Sequence, residues 1–426
     1  MTRPAAVRPA GDRPGTFAVG ARRASLAVFA VFIAIGVTRG TLAARLPAIR
    51  DGLRLAPGQV GLLLLVGSLG ALFALPATGL VVHRLGTRGT VTAAAVLSAI
   101  GLTLASLGVE AGRVPVAAAG LVAYGVGSAL WDAAMNLEGA FVEQRLGRTI
   151  MPRYHAGYSL GTAVAAGLAA LAAAGGVRVG VHVPVLAAVS SLAAMVAAAS
   201  FLPVGHAPLA VEPAPSPQVP PGVALQASRR RRGAGAGLAW VERRTLLIGV
   251  VLLAFGLSEV SAQNWLSLAV TDDFSAGEAI GAAALAVFVT VETLMRWFGT
   301  RLVDRYGRVV ALRISGALVV VGIGCFGLVG PLWLALVGVA AWGAGVALPF
   351  PIGMSAASDD PVRAAARVSV VATISYASML AGPPLLGALA DSVGYRHALL
   401  AVLGPVTLGL LAVGAVRPPR RPTLDG

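Results

Sequence analysis

His83-Arg84-Leu85-Gly86-Thr87-Arg88 follows the second long apolar run of the chain, and Asp304-Arg305-Tyr306-Gly307-Arg308 follows the eighth. Positions 83 and 304 are 221 residues apart. Each stretch is a short charged turn around one glycine, placed at the same point in a series of six apolar runs. The spacing predicts two parallel halves of six helices, an architecture in which a solute path lies between the halves and opens alternately to either side.

Outward from these turns, twelve apolar runs are legible at 24–44, 58–82, 90–109, 114–140, 152–174, 180–203, 245–270, 279–303, 309–329, 331–355, 367–389 and 393–416. Each holds about 20 residues, enough for a helix to cross the ~30 Å hydrocarbon core. Hydrophobic residues are 57% of the 426 and charged residues 12%, about half the ~25% that a water-facing surface carries. The expected fold is an all-α membrane protein of twelve transmembrane helices, in contact with the lipid bilayer over most of its surface. Its parts are a tail (1–23), a six-helix bundle (24–203), a polar, proline-rich linker (204–244), a second bundle (245–416) and a tail (417–426).

All 33 basic residues are arginine, and the net charge is +15. They lie between the apolar runs rather than along one face, which argues against nucleic acid and matches the orientation signal of a membrane protein. Arg84 and Arg88, Arg145, Arg148 and Arg153, the run Arg229 to Arg232, Arg305, Arg308 and Arg313, and Arg363 and Arg367 all fall in even-numbered loops. The loop between the seventh and eighth runs is acidic, with Asp272, Asp273 and Glu278. Arg45, Arg50 and Arg54 run against the trend. The balance predicts an inner (plasma) membrane protein with both termini in the cytoplasm.

The two turns resemble the G-x-x-x-D-R-x-G-R-R signature of the major facilitator superfamily. The first reads Gly79-Leu80-Val81-Val82-His83-Arg84-Leu85-Gly86-Thr87-Arg88, with His83 in the aspartate position. The second keeps Asp304, Arg305, Gly307 and Arg308, with Thr300 for the leading glycine. The resemblance implies that these residues form a conformational latch, with His83 weakening its first copy. Four stretches are similar to the MosC/YbjJ-like branch: Ala44 to Arg50, Asp132 to Asn136, Met151 to Gly161 and Glu259 to Trp265. Tyr376 with Gly382-Pro383-Pro384 agrees, while Val260 and Asn264 depart from the pattern. The branch implies secondary transport of a small polar solute, cyclitol- or sugar-like.

Ionisable side chains inside membrane helices are costly and normally face a cavity or a partner. Asp132 and Asn136 share one face of the fourth helix, and His155 and Ser159 share one face of the fifth. They read either as a proton relay and polyol site or as a clamp between helices. Glu259 lies near mid-membrane and is expected to touch solute or proton; Gln263, Asn264 and Trp265 beyond it are expected to face solute, with an interfacial anchor as the other reading of Trp265. Asp132 is the second candidate for proton coupling. Glu292 and Arg296, four apart, are expected to neutralise each other inside the bundle. Arg39, between Gly36 and Gly40, is expected to face the solute, as is Tyr376.

Other motifs dissolve in context. Gly157 to Gly161 matches a hydrolase elbow but sits inside an apolar helix rather than a strand-turn-helix. Gly322 to Gly327 matches a dinucleotide fingerprint without the preceding strand and reads as a packing face. His83, His155, His182, His206 and His397 are scattered and Cys325 is alone, so no metal, cofactor or enzyme reading arises. A monomer is expected. Drug or metabolite efflux on the same fold, and a non-transporting receptor or scaffold, stand as alternatives.

Overall fold

Glycines decide where the two longest helices turn. The computed structural model describes residues 14–147, 150–202, 239–360 and 363–418, almost entirely as helix. In chain order the first half holds α1 (Pro14–Ala44), α2 (Leu46–Leu53), α3 (Pro57–Glu110), α4 (Val114–Leu146), α5 (Met151–Ala174) and α6 (Val179–Ala198). The second half holds α7 (Arg243–Asp273), α8 (Glu278–Phe298), α9 (Thr300–Leu328), α10 (Leu332–Val346), α11 (Pro349–Ala357), α12 (Ala364–Leu400) and α13 (Leu403–Ala412).

A straight α3 would be ~80 Å long, more than twice the hydrocarbon thickness. It is broken at Gly86, whose φ of 68° and ψ of 173° are not helical, a conformation that glycine adopts without a Cβ penalty. Gly67 before the break and Gly101 after it both pack on one turn of α4, at Gly125 and Tyr124. The helix therefore doubles back. Gly394 breaks α12 in the same way, at φ 78° and ψ 162°. Among the described residues ten helices are long and apolar enough to cross a membrane; two passes each for the two longest spans, Pro57–Glu110 and Ala366–Val416, fit the twelve expected crossings.

The repeat is visible in the packing. Gly86 and Gly307, one repeat apart, share a left-handed turn with φ of 68° and 79°. At the same offset, Gly101 rests on the backbone of α4 at Tyr124 and Gly322 on that of α10 at Trp342. Gly322 is thus the packing contact its sequence suggested. Two seams join the halves: α5 against α8, and the first leg of α3 against the first leg of α12.

Some boundaries move. The helix expected from residue 24 begins at Pro14, because proline is at home in a first turn and no breaker follows it. The eighth run ends at Phe298 rather than 303, and residues from Thr300 open the next helix. The tenth is interrupted after Val346, and Pro349 starts α11. A short helix, α2, lies between the first and second runs. Most of the expected linker, over 203–238, lies outside the described residues, as does the run Arg229 to Arg232.

Candidate functional site

One wall of the site comes from α1, α4 and α5. Gly36 and Gly40 bring α1 onto the backbone of α5 at Tyr158 and Thr162, close enough that Arg39 emerges beside Tyr158. Its guanidinium carbon lies 5.7 Å from the centre of that ring. Arg39 Nη2 donates to Ser128 Oγ at 3.2 Å and stands 4.0 Å from Asp132 Oδ2. Asn136 Nδ2 donates to the Asp132 carbonyl at 2.8 Å and approaches its carboxylate at 3.4 Å. The expected face of Asp132 and Asn136 therefore exists, with Arg39 as the counter-ion. Asp132 and Arg296 are the charges that face His155, which meets Phe32 edge-on at 5.1 Å. No direct hydrogen bond joins His155 to Asp132 among the described contacts.

The other wall comes from α7, α8 and α12. Arg296 Nη2 lies 3.2 Å from Glu259 and 2.5 Å from Glu292, which is 1% exposed. Gln263 Nε2 donates to Glu259 at 3.3 Å. Arg296 Nη1 crosses between the halves and donates to Ser159 Oγ at 2.7 Å. The expected neutralisation of Glu292 by Arg296 is present, but it is one part of a larger cluster. One guanidinium serves two carboxylates and a hydroxyl, on α7, α8 and α5. Two carboxylates against one cation leave an excess negative charge when both are ionised, and burial makes such an excess expensive. One bound proton would balance it. Arg39 and Asp132, 33% and 43% exposed, and Tyr376, 58% exposed, line a crevice between the halves; Tyr376 of α12 faces Arg39 and Asp132 of the opposite half.

Asn264 is half-buried beside Gln263. Trp265 is placed elsewhere. It is 1% exposed, stacks on Tyr395 at 5.5 Å between ring centres and packs near Gly387. The expectation that it faces solute is therefore not met in this conformation: one residue past Asn264, the helix has turned it toward packed neighbours.

At the arginine-rich end, both latch turns are formed but their charges are spread. His83, Arg84 and Arg88 are exposed, as are Asp304 and Arg305. Gly79 has open space around it. Arg308 alone is tied down, donating to Asp359 at 2.8 Å and to Ser355 at 2.9 Å. Beside the first turn, Thr87 donates to Glu138 Oε2 at 2.6 Å, and Glu138 also accepts the Leu202 N–H at 2.8 Å. Glu138 is fully buried and pins α3, α4 and the end of α6 together. Sequence reasoning passed over it, although a carboxylate without a nearby arginine inside an apolar run was the signal.

At the opposite end the halves touch. Arg50 of α2 pairs with Asp272, Arg45 lies 3.1 Å from Glu278, and the Gly58 N–H donates to Asp391 at 3.0 Å. Gly61 packs on Pro383 and Pro384, and Gly387 on Pro57.

The family model described as Major Facilitator Superfamily matches residues 26–379 and 265–426. The chain is 30% identical over 395 residues to an uncharacterized transporter of Sinorhizobium fredii, covering 89% of this chain and 97% of that one. It is 27% identical to an uncharacterized MFS-type transporter of Yersinia pestis, covering 91% and 92%. Membrane protein MosC of Rhizobium meliloti matches at 26% over 38% of this chain. Among solved structures, the nucleoside transporter NupG superposes with a TM-score of 0.67 at 16% identity, covering 93% of this chain and 98% of that one. A D-xylose-proton symporter does so at 0.68 and 15%, covering 93% and 97%.

Proposed function

The chain belongs to the Major Facilitator Superfamily, a family of secondary transporters, and on that premise we propose that it moves a small polar solute through the crevice by alternating access, with a proton as the coupling ion. The observation that carries this reading is the cluster around Arg296, which ties Glu259 and Glu292 of one half to Ser159 of the other. A solute that binds Ser159 or Glu259 must displace Arg296, and a proton on a released carboxylate compensates the lost ion pair. Binding, protonation and the contact between the halves are then one event. The lining favours a polyol: Arg39, Asp132, Asn136, Gln263 and Tyr376 offer both donors and acceptors, which suits the cyclitol- or sugar-like class. The joined opposite end and the unshared charges of the two turns support an inward-facing reading, in which the arginine-rich loops lie in the cytoplasm of a bacterial inner membrane.

The test is a thermal-shift screen of purified protein against cyclitols, sugars, amino sugars and drugs, with Glu259→Gln in parallel. A ligand stabilises the state it binds according to its occupancy. A cyclitol or sugar that raises the melting temperature of the wild type, and not of Glu259→Gln, is the expected result. Stabilisation by drugs alone would replace the polar-solute reading with efflux, and an equal shift in the variant would remove Glu259 from the site.

A further inference from the structure

Three turns in this protein share one backbone. Gly86, Gly307 and Gly394 have φ of 68°, 79° and 78° and ψ of 173°, 166° and 162°. In each case the third residue before the glycine is polar: His83, Asp304 and Asp391. The first two are the latch turns at the arginine-rich end. Asp391-Ser392-Val393-Gly394 sits at the opposite end, and nothing in the family signature assigns it a role.

The helix start that Asp391 meets has half a cap of its own: Gln59 Oε1 accepts the Ala56 N–H at 2.9 Å, which leaves the donors inside the first turn unserved. The N-cap residue of α3 is Ala56, which has no side-chain acceptor, and Pro57 follows it without an N–H. Gly58 is therefore the first helical residue with a free donor, in the position that an N-cap side chain ordinarily satisfies. Here Asp391 Oδ1 accepts it at 3.0 Å from the other half. Gly58 is also the residue whose missing side chain leaves room: a Cβ there would stand 2.3 Å from Asp391 Oδ2. The same carboxylate adds a negative charge at the positive end of the α3 dipole. Beside it, Arg50 reaches Asp272 and Tyr395 across the same boundary.

We propose that Asp391-Ser392-Val393-Gly394 is a third latch, acting at the outer end, whose aspartate caps the first leg of α3 in trans only while the outer ends of the halves are together. When the outer end opens, Gly58 loses its cap and Asp391 loses its donor. The inward-facing form is therefore favoured by about one helix cap, which is roughly fivefold in population. This rests on the alternating-access reading above but needs no solute to be tested.

Spin labels on Arg113→Cys and Gly330→Cys, both in exposed outer turns, in a Cys325→Ser background, report the outer distance by pulsed dipolar spectroscopy in nanodiscs. Asp391→Ala, which removes the acceptor of the Gly58 N–H, is expected to move about fivefold more of the population to longer outer distances. Ala56→Asp supplies a cap within α3 itself, present in both states. It is expected to raise the melting temperature and yet shift the distances the same way, a combination that a purely structural role for Asp391 does not give. Ser392→Ala, whose hydroxyl bonds only within its own turn to the Leu389 carbonyl, leaves the distribution unchanged. Unchanged distances in both Asp391→Ala and Ala56→Asp would overturn the latch. If the outer distance never samples a second value under any variant or ligand, the alternating-access reading itself fails.

Discussion

Arg296 brings one positive charge to Glu259 and Glu292, so removing the guanidinium leaves two carboxylates facing each other where water barely reaches. Arg296→Ala should therefore destabilise by about 3–5 kcal/mol, the usual cost of an uncompensated buried charge. Adding Glu292→Gln should recover much of that loss, because the orphaned charge is then gone. Melting curves in one detergent for the single and double variants check this; additive losses would mean that Glu292 is not the group Arg296 neutralises. The charges of this site were legible one at a time, since Arg39, Asp132 and Glu259 each interrupt an apolar run. The reach of Arg296 to Ser159 was not legible. It depends on α5 and α8 meeting across the halves, and no local spacing encodes that contact. Trp265 failed for a related reason: its neighbours along the chain line the crevice, but each further residue turns a helix by about 100°.

At the scale of elements, α1 and α5 approach until glycine is the only residue that fits. A Cβ on Gly161 would stand 2.1 Å from the Ile33 carbonyl oxygen, and one on Gly36 2.1 Å from that of Tyr158. Both obstacles are backbone and do not rotate away. Gly161→Ala is expected to cost about 1–3 kcal/mol, the range for overpacking, and to lower the melting temperature. Gly167→Ala, on the same helix with open space around it, should cost nothing and slightly raise helix propensity. Equal effects at the two positions would contradict the close approach. Hydropathy located the helices because each must match one lipid thickness. It missed where α8 ends and α9 begins, since residues 299–303 remain apolar enough to pass for membrane while Gly299 ends the helix.

Across the whole molecule, ion pairs at the arginine-rich end hold the second half together. Glu242 accepts the Arg367 Nε at 2.7 Å and also bonds its Nη2. These hydrogen bonds hold the Glu242 carboxyl below its ordinary value of 4.5. A folded-state value below the unfolded one stabilises at pH above the unfolded value and ceases to do so as pH falls through the folded one. Wild-type melting temperature should thus fall as pH drops below about 4.5, and Glu242→Gln should be less stable at neutral pH with a shallower acid slope. Identical slopes would mean that other carboxylates dominate. The two-half plan was readable from the repeat at 83 and 304, because the duplicated turn keeps one arginine, Arg84 and Arg305, and its glycine, Gly86 and Gly307. The conformation was not, because it is set by which polar groups meet across the halves, as Arg50 meets Asp272, and no local spacing encodes those contacts.

At the seam of α3 and α12, Gly61 meets the backbone of Pro383 and Gly387 that of Pro57, with the Asp391 carboxylate and the Trp265 ring beside them. Where backbone meets backbone, rolling one rod over the other would disturb few rotamers, so a rocking motion would meet little friction at that line. The timing of each turnover is then left to the few charges around it, and a single substitution among them is able to change the speed of the machine without changing its shape.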